Sequence, residues 1–312
     1  MNIKDSVLDL VGNTPLVEVK KLEEKHDLGA KVVVKIESFN PAGSVKDRVA
    51  KNMLEQAEKQ GKLKKGMTIL EATSGNTGIG LAAAAAAKGY PAIIVMPDSM
   101  TIERRKLLAA YGAKIVLTPG AQGMKGAIAK MNEIADELGK DNVFIAGQFE
   151  NPANPQAHYE HTGPEIWNDT DGEIDILVSG VGTGGTLSGV GKYLKEKKPE
   201  VQIVAVEPAG SPVLSEGKAG AHKIQGIGAG FVPDTLDRSL IDQILTITDE
   251  EAFETGRELA RTEGILAGIS SGAAVAAAEK LAKLPENKGK LIVAVLPDTG
   301  DRYLSSPMFS EE

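Results

Sequence analysis

The 312-residue chain contains no cysteine. Disulfide frameworks, thiolate nucleophiles and cysteine-based metal sites are therefore excluded at the outset. No apolar run is long enough to span a bilayer, the longest being Leu81 to Ala87. The opening residues Met-Asn-Ile-Lys-Asp have no apolar h-region, so no secretory signal is read there and a cytoplasmic location is the expectation. No Lys/Arg run marks a nucleic-acid track. The 35 basic and 43 acidic residues are interspersed and sum to −8, which also disfavours an anionic membrane surface. Histidine is scarce at four residues. His158 and His161 have an i, i+3 spacing, but no third ligand motif accompanies them, and no metal is expected. An anionic ligand would then have to be held by backbone amides and helix termini.

What is present is a soluble-protein composition, 42% hydrophobic and 25% charged, with a length suited to about two domains. From residue 68 onward, short β-rich runs alternate with helical stretches. Strands are expected at 68–72, 92–97, 114–118, 143–146, 174–178, 202–206 and 291–296. Helices are expected from residue 102 to 111 and near 123–138, 186–196, 249–263 and 271–283, beside the alanine-rich helix ending at Lys88-Gly89. Such alternation predicts βαβ units and parallel sheets. The rhythm breaks at 148–155, where Asn-Pro occurs twice, and again over 208–248, a glycine-, proline- and serine-rich stretch of the kind that is usually functional. The expected fold class is α/β: two open, mainly parallel α/β domains, 1–150 and 151–312, with ligands bound outside the strand carboxyl ends.

Lys46 lies in Asn40-Pro-Ala-Gly-Ser-Val-Lys-Asp-Arg48 and opens an amphipathic segment marked by Val49, Met53, Leu54 and Ala57. A lysine in the first helical turn opposes the helix dipole. It is either a solvated surface lysine or one held as a Schiff base with a carbonyl cofactor. Three glycine-rich loops bear on that choice. Residues 176–186 run from a strand through Gly180, Gly182, Thr183, Gly184 and Gly185 to Thr186, a phosphate cradle at a helix start. Gly180, Gly182 and Gly185 also satisfy G-x-G-x-x-G, and Glu207 ends the next strand, so a dinucleotide-dependent oxidoreductase is the rival reading. The loop Glu71-Ala-Thr-Ser-Gly-Asn-Thr-Gly78 offers hydroxyls and amides suited to a carboxylate, or else is a polar tight turn. The third, 223–231, places glycines at 226, 228 and 230, as a mobile lid or as a backbone wall beside a flat ligand.

Taken together, these segments resemble the fold-type-II pyridoxal phosphate enzymes, and within them the O-acetylserine sulfhydrylase (cysteine synthase) family, A-type. The resemblance runs from Val11-Gly-Asn-Thr-Pro-Leu16 to Gly300-Asp-Arg-Tyr-Leu304. It implies pyridoxal 5′-phosphate in an interdomain cleft and a first stretch of about 35 residues packed on the second domain. Lys46 matches the lysine that carries the cofactor and serves as catalytic base. Asn76 matches the partner of the cofactor's 3′ oxygen. Gly182, Thr183, Gly184, Gly185 and Thr186 match its phosphate cup. Ser270, with Ser271 adjacent, matches the serine facing the pyridine nitrogen. Thr73, Ser74, Gly75, Thr77 and Gln148 match the group that holds the substrate α-carboxylate, and Gly226, Ile227 and Gly228 match the loop near its amine. Asp298-Thr299 stands where Ser-Ser or Ser-Asn is common. The implied reaction converts O-acetyl-L-serine and sulfide to L-cysteine and acetate through α-aminoacrylate. Cystathionine β-synthase chemistry on serine is the alternative within the class. A homodimer and docking of a serine acetyltransferase C-terminal tail are implied partners.

Overall fold

The apolar runs at 92–97, 202–208 and 291–296 show almost no alternation of burial, the signature of strands covered on both faces. The computed structural model describes residues 1, 3–100 and 102–310. In chain order its elements are β1 (Leu16–Glu18), α1 (Lys20–His26), β2 (Lys31–Ile36), α2 (Lys46–Lys59), β3 (Thr68–Ala72), α3 (Asn76–Lys88), β4 (Ala92–Pro97), α4 (Ile102–Ala110), β5 (Lys114–Thr118), α5 (Gly123–Leu138) and β6 (Val143–Ile145). There follow α6 (Ala153–Ala157), a π-helical segment (His158–Thr162), α7 (Gly163–Asp169), β7 (Ile176–Gly180), α8 (Gly185–Lys197), β8 (Gln202–Pro208), α9 (Val213–Glu216), β9 (Gln243–Ile247), α10 (Asp249–Glu263), α11 (Ile269–Ala282) and β10 (Leu291–Leu296). Short 3-10 turns join several of them.

The sequence reading divides the chain at 150, with a first stretch of about 35 residues packed on the second domain. Packing instead separates one unit, 1–11 with 40–154, from a second, 12–39 with 155–312. The first eleven residues thus group with the first unit, where Leu8 joins a core with Val49, Met53 and Ile79. Segment 12–39 groups with the second because β2 pairs in parallel with β10 at the far end of the chain.

In the first unit the sheet order is β5-β4-β3-β6, all parallel. Alternate strand residues point to opposite faces. Ile69 and Ile94 pack with Val49, Leu54, Leu81 and Leu108 of the helices on one side, while Leu70 and Val95 meet Ala127, Met131 and Ile134 of α5 on the other.

The second unit carries a six-stranded sheet, β1-β2-β10-β7-β8-β9, parallel except for β1. Alanine-rich α11 is buried along nearly its whole length. Small side chains let it lie close to both the sheet and α10. The Gly12–Pro15 turn is fixed by a fully buried Lys35, whose Nζ donates to the Thr14 carbonyl at 2.6 Å and pairs with Glu165 at 2.9 Å. β7 lies two residues later than expected, and β9 occupies part of the irregular 208–248 stretch. Among the described residues no helix is long and apolar enough to cross a membrane.

Candidate active site

In the first unit, α2 begins at Lys46, and the turn before it is braced by its own backbone and by Asp47. The Gly43 N–H donates to the Asn40 carbonyl at 2.8 Å, the Ala42 N–H to Asp47 Oδ2 at 2.6 Å and the Lys46 N–H to Ser44 Oγ at 3.1 Å. On α3, a Cβ at Gly80 would lie 2.9 Å from the Lys46 carbonyl oxygen. The bare glycine therefore lets α3 press on the first turn of α2, which fixes the origin of the Lys46 side chain. Lys46 itself is half-buried.

The loop from Thr73 to Thr77 leaves the carboxyl end of β3 and enters α3, with Asn76 at the first helical position, half-buried, and no side chain capping the helix. Gln148 ties the loop together. Its Oε1 accepts from Thr77 Oγ1 at 2.5 Å and its Nε2 donates to Thr73 Oγ1 at 3.3 Å. Thr73, Thr77 and Gln148 are all buried, whereas Ser74 and Gly75 are half-buried. The polar-tight-turn reading is thus too weak, because a distant glutamine is recruited to orient two hydroxyls. Two further braces escaped the sequence reading. Arg104 donates to the Ser74 carbonyl at 2.5 Å, and Glu71 accepts the N–H groups of Gly147 at 2.9 Å and Gln148 at 3.4 Å. Burial pushes the Glu71 carboxyl up to about 7. Its signal was visible only as an acidic residue in an apolar strand.

In the second unit, β7 leads through Gly182–Gly184 into α8, whose first turn also lacks a side-chain cap. Gly184 has φ of +80°, and a Cβ there would sit 2.6 Å from that of Leu236, so no other residue fits. A Cβ at Gly182 would overlap the Gly226 carbonyl oxygen. The Thr183 carbonyl accepts from Thr235 Oγ1 at 2.5 Å, and the Gly185 N–H donates to Thr183 Oγ1 at 3.4 Å. His158 is not paired with His161 for a metal. It is fully buried in the π-helical segment, with Nδ1 2.9 Å from Thr162 Oγ1 and Nε2 3.2 Å from Thr186 Oγ1.

Residues 226–228 form a wall rather than a detached lid. The Gly228 N–H donates to the Val181 carbonyl at 3.0 Å, and buried Ile227 packs against Gly180. Ser270 Oγ faces this wall, 3.4 Å from where a Gly226 Cβ would be, while Ser271 Oγ is buried without a hydrogen-bond partner. Asp298 accepts from Tyr303 Oη at 2.5 Å. The dinucleotide reading fails on Glu207, whose carboxylate is consumed by the N–H groups of Leu214 and Ser215 at 2.7 and 3.0 Å and by Ser215 Oγ at 2.5 Å.

An uncapped glycine loop with a threonine at its helix start is a donor set for a phosphate dianion, and the hydroxyl loop after β3 is one for a carboxylate. A lysine at the start of α2 in the first unit and a phosphate-type loop in the second are the donor types that an α/β enzyme using a phosphorylated carbonyl cofactor requires. The family described as pyridoxal-phosphate dependent enzyme matches residues 7–298, and the chain belongs to it. Over 307 residues the chain is 54% identical to the cysteine synthase of Staphylococcus aureus (strain N315), covering 98% of this chain and 97% of that one. It is similar to the crystal structure of cysteine synthase from Entamoeba histolytica, with a TM-score of 0.96 and 47% identity over 100% of this chain and 93% of that chain. O-ureido-L-serine synthase gives a TM-score of 0.93 and 48% identity, over 98% and 95% of the two chains. Pyridoxal phosphate is accordingly the cofactor, and the cradle at 182–186 fits its phosphate without any basic side chain.

Proposed function

We propose that the chain catalyses a β-replacement that makes L-cysteine and acetate from O-acetyl-L-serine and sulfide. The observation that carries this reading is the Thr73–Gln148–Thr77 cluster at the start of α3, in a chain 54% identical to a cysteine synthase. Residues 182–186 would hold the cofactor phosphate, Asn76 its 3′ oxygen and Ser270 its pyridine nitrogen. When bound, the cofactor supplies an electron sink that acidifies the substrate Cα–H. Ser270 would offer a neutral hydroxyl to the ring nitrogen, a weaker partner than a carboxylate.

The chain's own residues do the rest. Thr73, Ser74, Gly75, Thr77 and Gln148 bind the substrate α-carboxylate and so set which Cα bond faces the base. Lys46 Nζ takes the proton from Cα and later returns it to the product. Gly226–Gly228 line the position of the substrate amine. Assembly as a homodimer, binding of a serine acetyltransferase C-terminal tail and a cytoplasmic location belong to the same reading. Light scattering, competition by a tail peptide and fractionation of cells test these three in turn.

The deciding experiment supplies purified protein with pyridoxal phosphate, O-acetyl-L-serine and sulfide. Cysteine and acetate should appear in equal amounts. Preference for serine with homocysteine would move the assignment to cystathionine β-synthase chemistry, and release of neither product would overturn it.

A further inference from the structure

His158 is fully buried beside the loop at 182–186, yet the reaction above gives it no role. It opens the π-helical segment, in which the Gly163 N–H donates to the His158 carbonyl across the wider turn. That turn brings the Thr162 side chain against the His158 ring, with Oγ1 2.9 Å from Nδ1. Two glycines press the segment onto α8. A Cβ at Gly189 would overlap the Pro155 carbonyl oxygen and lie 2.6 Å from the His158 Cβ, and one at Gly163 would lie 2.8 Å from the Tyr193 Cβ. The ring is thereby held with Nε2 3.2 Å from Thr186 Oγ1, in the first turn of α8.

The direction of every hydrogen in this row follows from its buried end. Thr162 is fully buried, and among the described residues its hydroxyl has one hydrogen-bond partner, His158 Nδ1. A hydroxyl carries a single hydrogen, and in a dry site that hydrogen needs an acceptor, which here is Nδ1. Nδ1 is then unprotonated, the ring is neutral and its hydrogen sits on Nε2. Nε2–H donates to Thr186 Oγ1. Thr186 is half-buried, and His158 is its hydroxyl's one partner among the described residues, so its own hydrogen is left for a ligand in the loop. The opposite polarity, with Thr186 donating to Nε2 and Nδ1–H donating to Thr162, strands a buried hydroxyl hydrogen and offers an anion only a lone pair.

We propose that His158 is a positioning residue for the cofactor phosphate: locked by Thr162 as the neutral Nε2–H tautomer, it commits the Thr186 hydroxyl to donate to that phosphate. This inference rests on residues 182–186 being the phosphate cup. The oxygens of a phosphate dianion accept hydrogen bonds and donate none, so a hydroxyl free to turn would hold them only part of the time. The loop has no basic side chain, which leaves the orientation of its donors to set the affinity.

The first measurement needs no substitution. Nitrogen-resolved NMR of the holoenzyme, isotopically labelled at histidine, should show His158 protonated at Nε2 and bare at Nδ1, the signals being assigned by their loss in His158→Gln. The second compares binding of pyridoxal phosphate and of pyridoxal by the apoprotein. His158→Leu should weaken pyridoxal phosphate about tenfold, the scale of one hydrogen bond to a charged group, and change pyridoxal by about twofold or less. His158→Gln keeps an N–H that reaches Thr186 and should recover most of that loss. In a Thr186→Val background, His158→Leu should weaken pyridoxal phosphate by only about twofold or less, because the hydroxyl it orders is gone. A ring protonated at Nδ1 or at both nitrogens would overturn the proposal, as would equal losses for the two ligands or losses that multiply in the double variant. If His158→Leu does not fold, the tautomer decides alone. A wild type that binds pyridoxal phosphate no more tightly than pyridoxal would instead refute the phosphate cup, a failure told apart because it appears before any substitution.

Discussion

The loop at 73–77 is braced by side chains, whereas the loop at 182–186 is shaped mainly by close backbone packing, with the Thr235 hydroxyl and the His158 ring as its side-chain supports. Around the first, Gln148, Glu71 and Arg104 reach in from three other places in the unit. Around the second, Gly182 and Gly184 lie against the Gly226 carbonyl and Leu236 with no space for a methyl group. Backbone packing of that kind has a single solution and suits a ligand that stays bound. Hydroxyl and amide side chains can exchange partners, which suits a ligand that arrives and leaves each turnover. A third helix start sharpens the contrast. α10 is closed by a capping box in which the Glu251 N–H donates to Thr248 Oγ1 and the Thr248 N–H to Glu251. Its amides are satisfied internally, and α3 and α8 lack any such cap.

Substitutions can break this contrast in order of effect. Lys46→Ala leaves both loops intact, and turnover should fall at least ~1,000-fold, the scale of a lost base that also carries the cofactor. Retained activity in a steady-state assay would refute the lysine's role. Gly184→Ala forces a side chain into a φ of +80° and onto Leu236, at a cost of about 1–3 kcal/mol for each strain. Cofactor affinity, followed by titration of the apoprotein, should drop on the order of 100-fold.

The third test concerns stability. Because burial raises the Glu71 carboxyl to about 7 from 4.5, the folded chain binds that proton more tightly than the unfolded one. The associated stability is fully present below pH 4.5, is lost as pH rises to 7, and is constant above. Urea unfolding should therefore show wild type losing roughly 2–3 kcal/mol more than Glu71→Gln between pH 4.5 and pH 8. Thr77→Val removes one donor from Gln148 and should raise KM for O-acetyl-L-serine about tenfold while leaving cofactor affinity alone. Smallest of all, Thr248→Ala should lower stability by about 1 kcal/mol without touching kinetics, as befits a cap that serves no ligand.

The parts of the fold that rest on local pattern were legible from the residues. The strands at 92–97, 114–118 and 291–296 and the helices at 123–138 and 249–263 match their expected limits, because uniform burial and amphipathic periodicity leave clear traces. The grouping of 12–39 with the second unit was expected only through the family resemblance, since pairing of β2 with β10 depends on contacts between opposite ends of the chain and leaves no local pattern. At the site, glycine and threonine spacing marked the two loops. Their supports stayed hidden because Arg104, His158, Thr235 and Glu71 lie in elements whose sequence carries no motif. Glu207 is the instructive case. Its spacing fits a ribose-binding acid, yet its carboxylate closes the turn at 213–215, and spacing alone cannot tell which partner an acid has.

The position of β10 also dictates an order of events during synthesis. It lies between β2 and β7, and both pair with it directly. Residues 31–36 emerge early from the ribosome and have no parallel neighbour until Leu291–Leu296 has been made. All four strands of the other sheet are complete once residue 145 is made. The first sheet can close during translation, whereas the second must wait for nearly the whole chain, with one early strand held open. Truncations that stop short of Leu291 should leave that strand exposed as an unpaired edge and tend to aggregate.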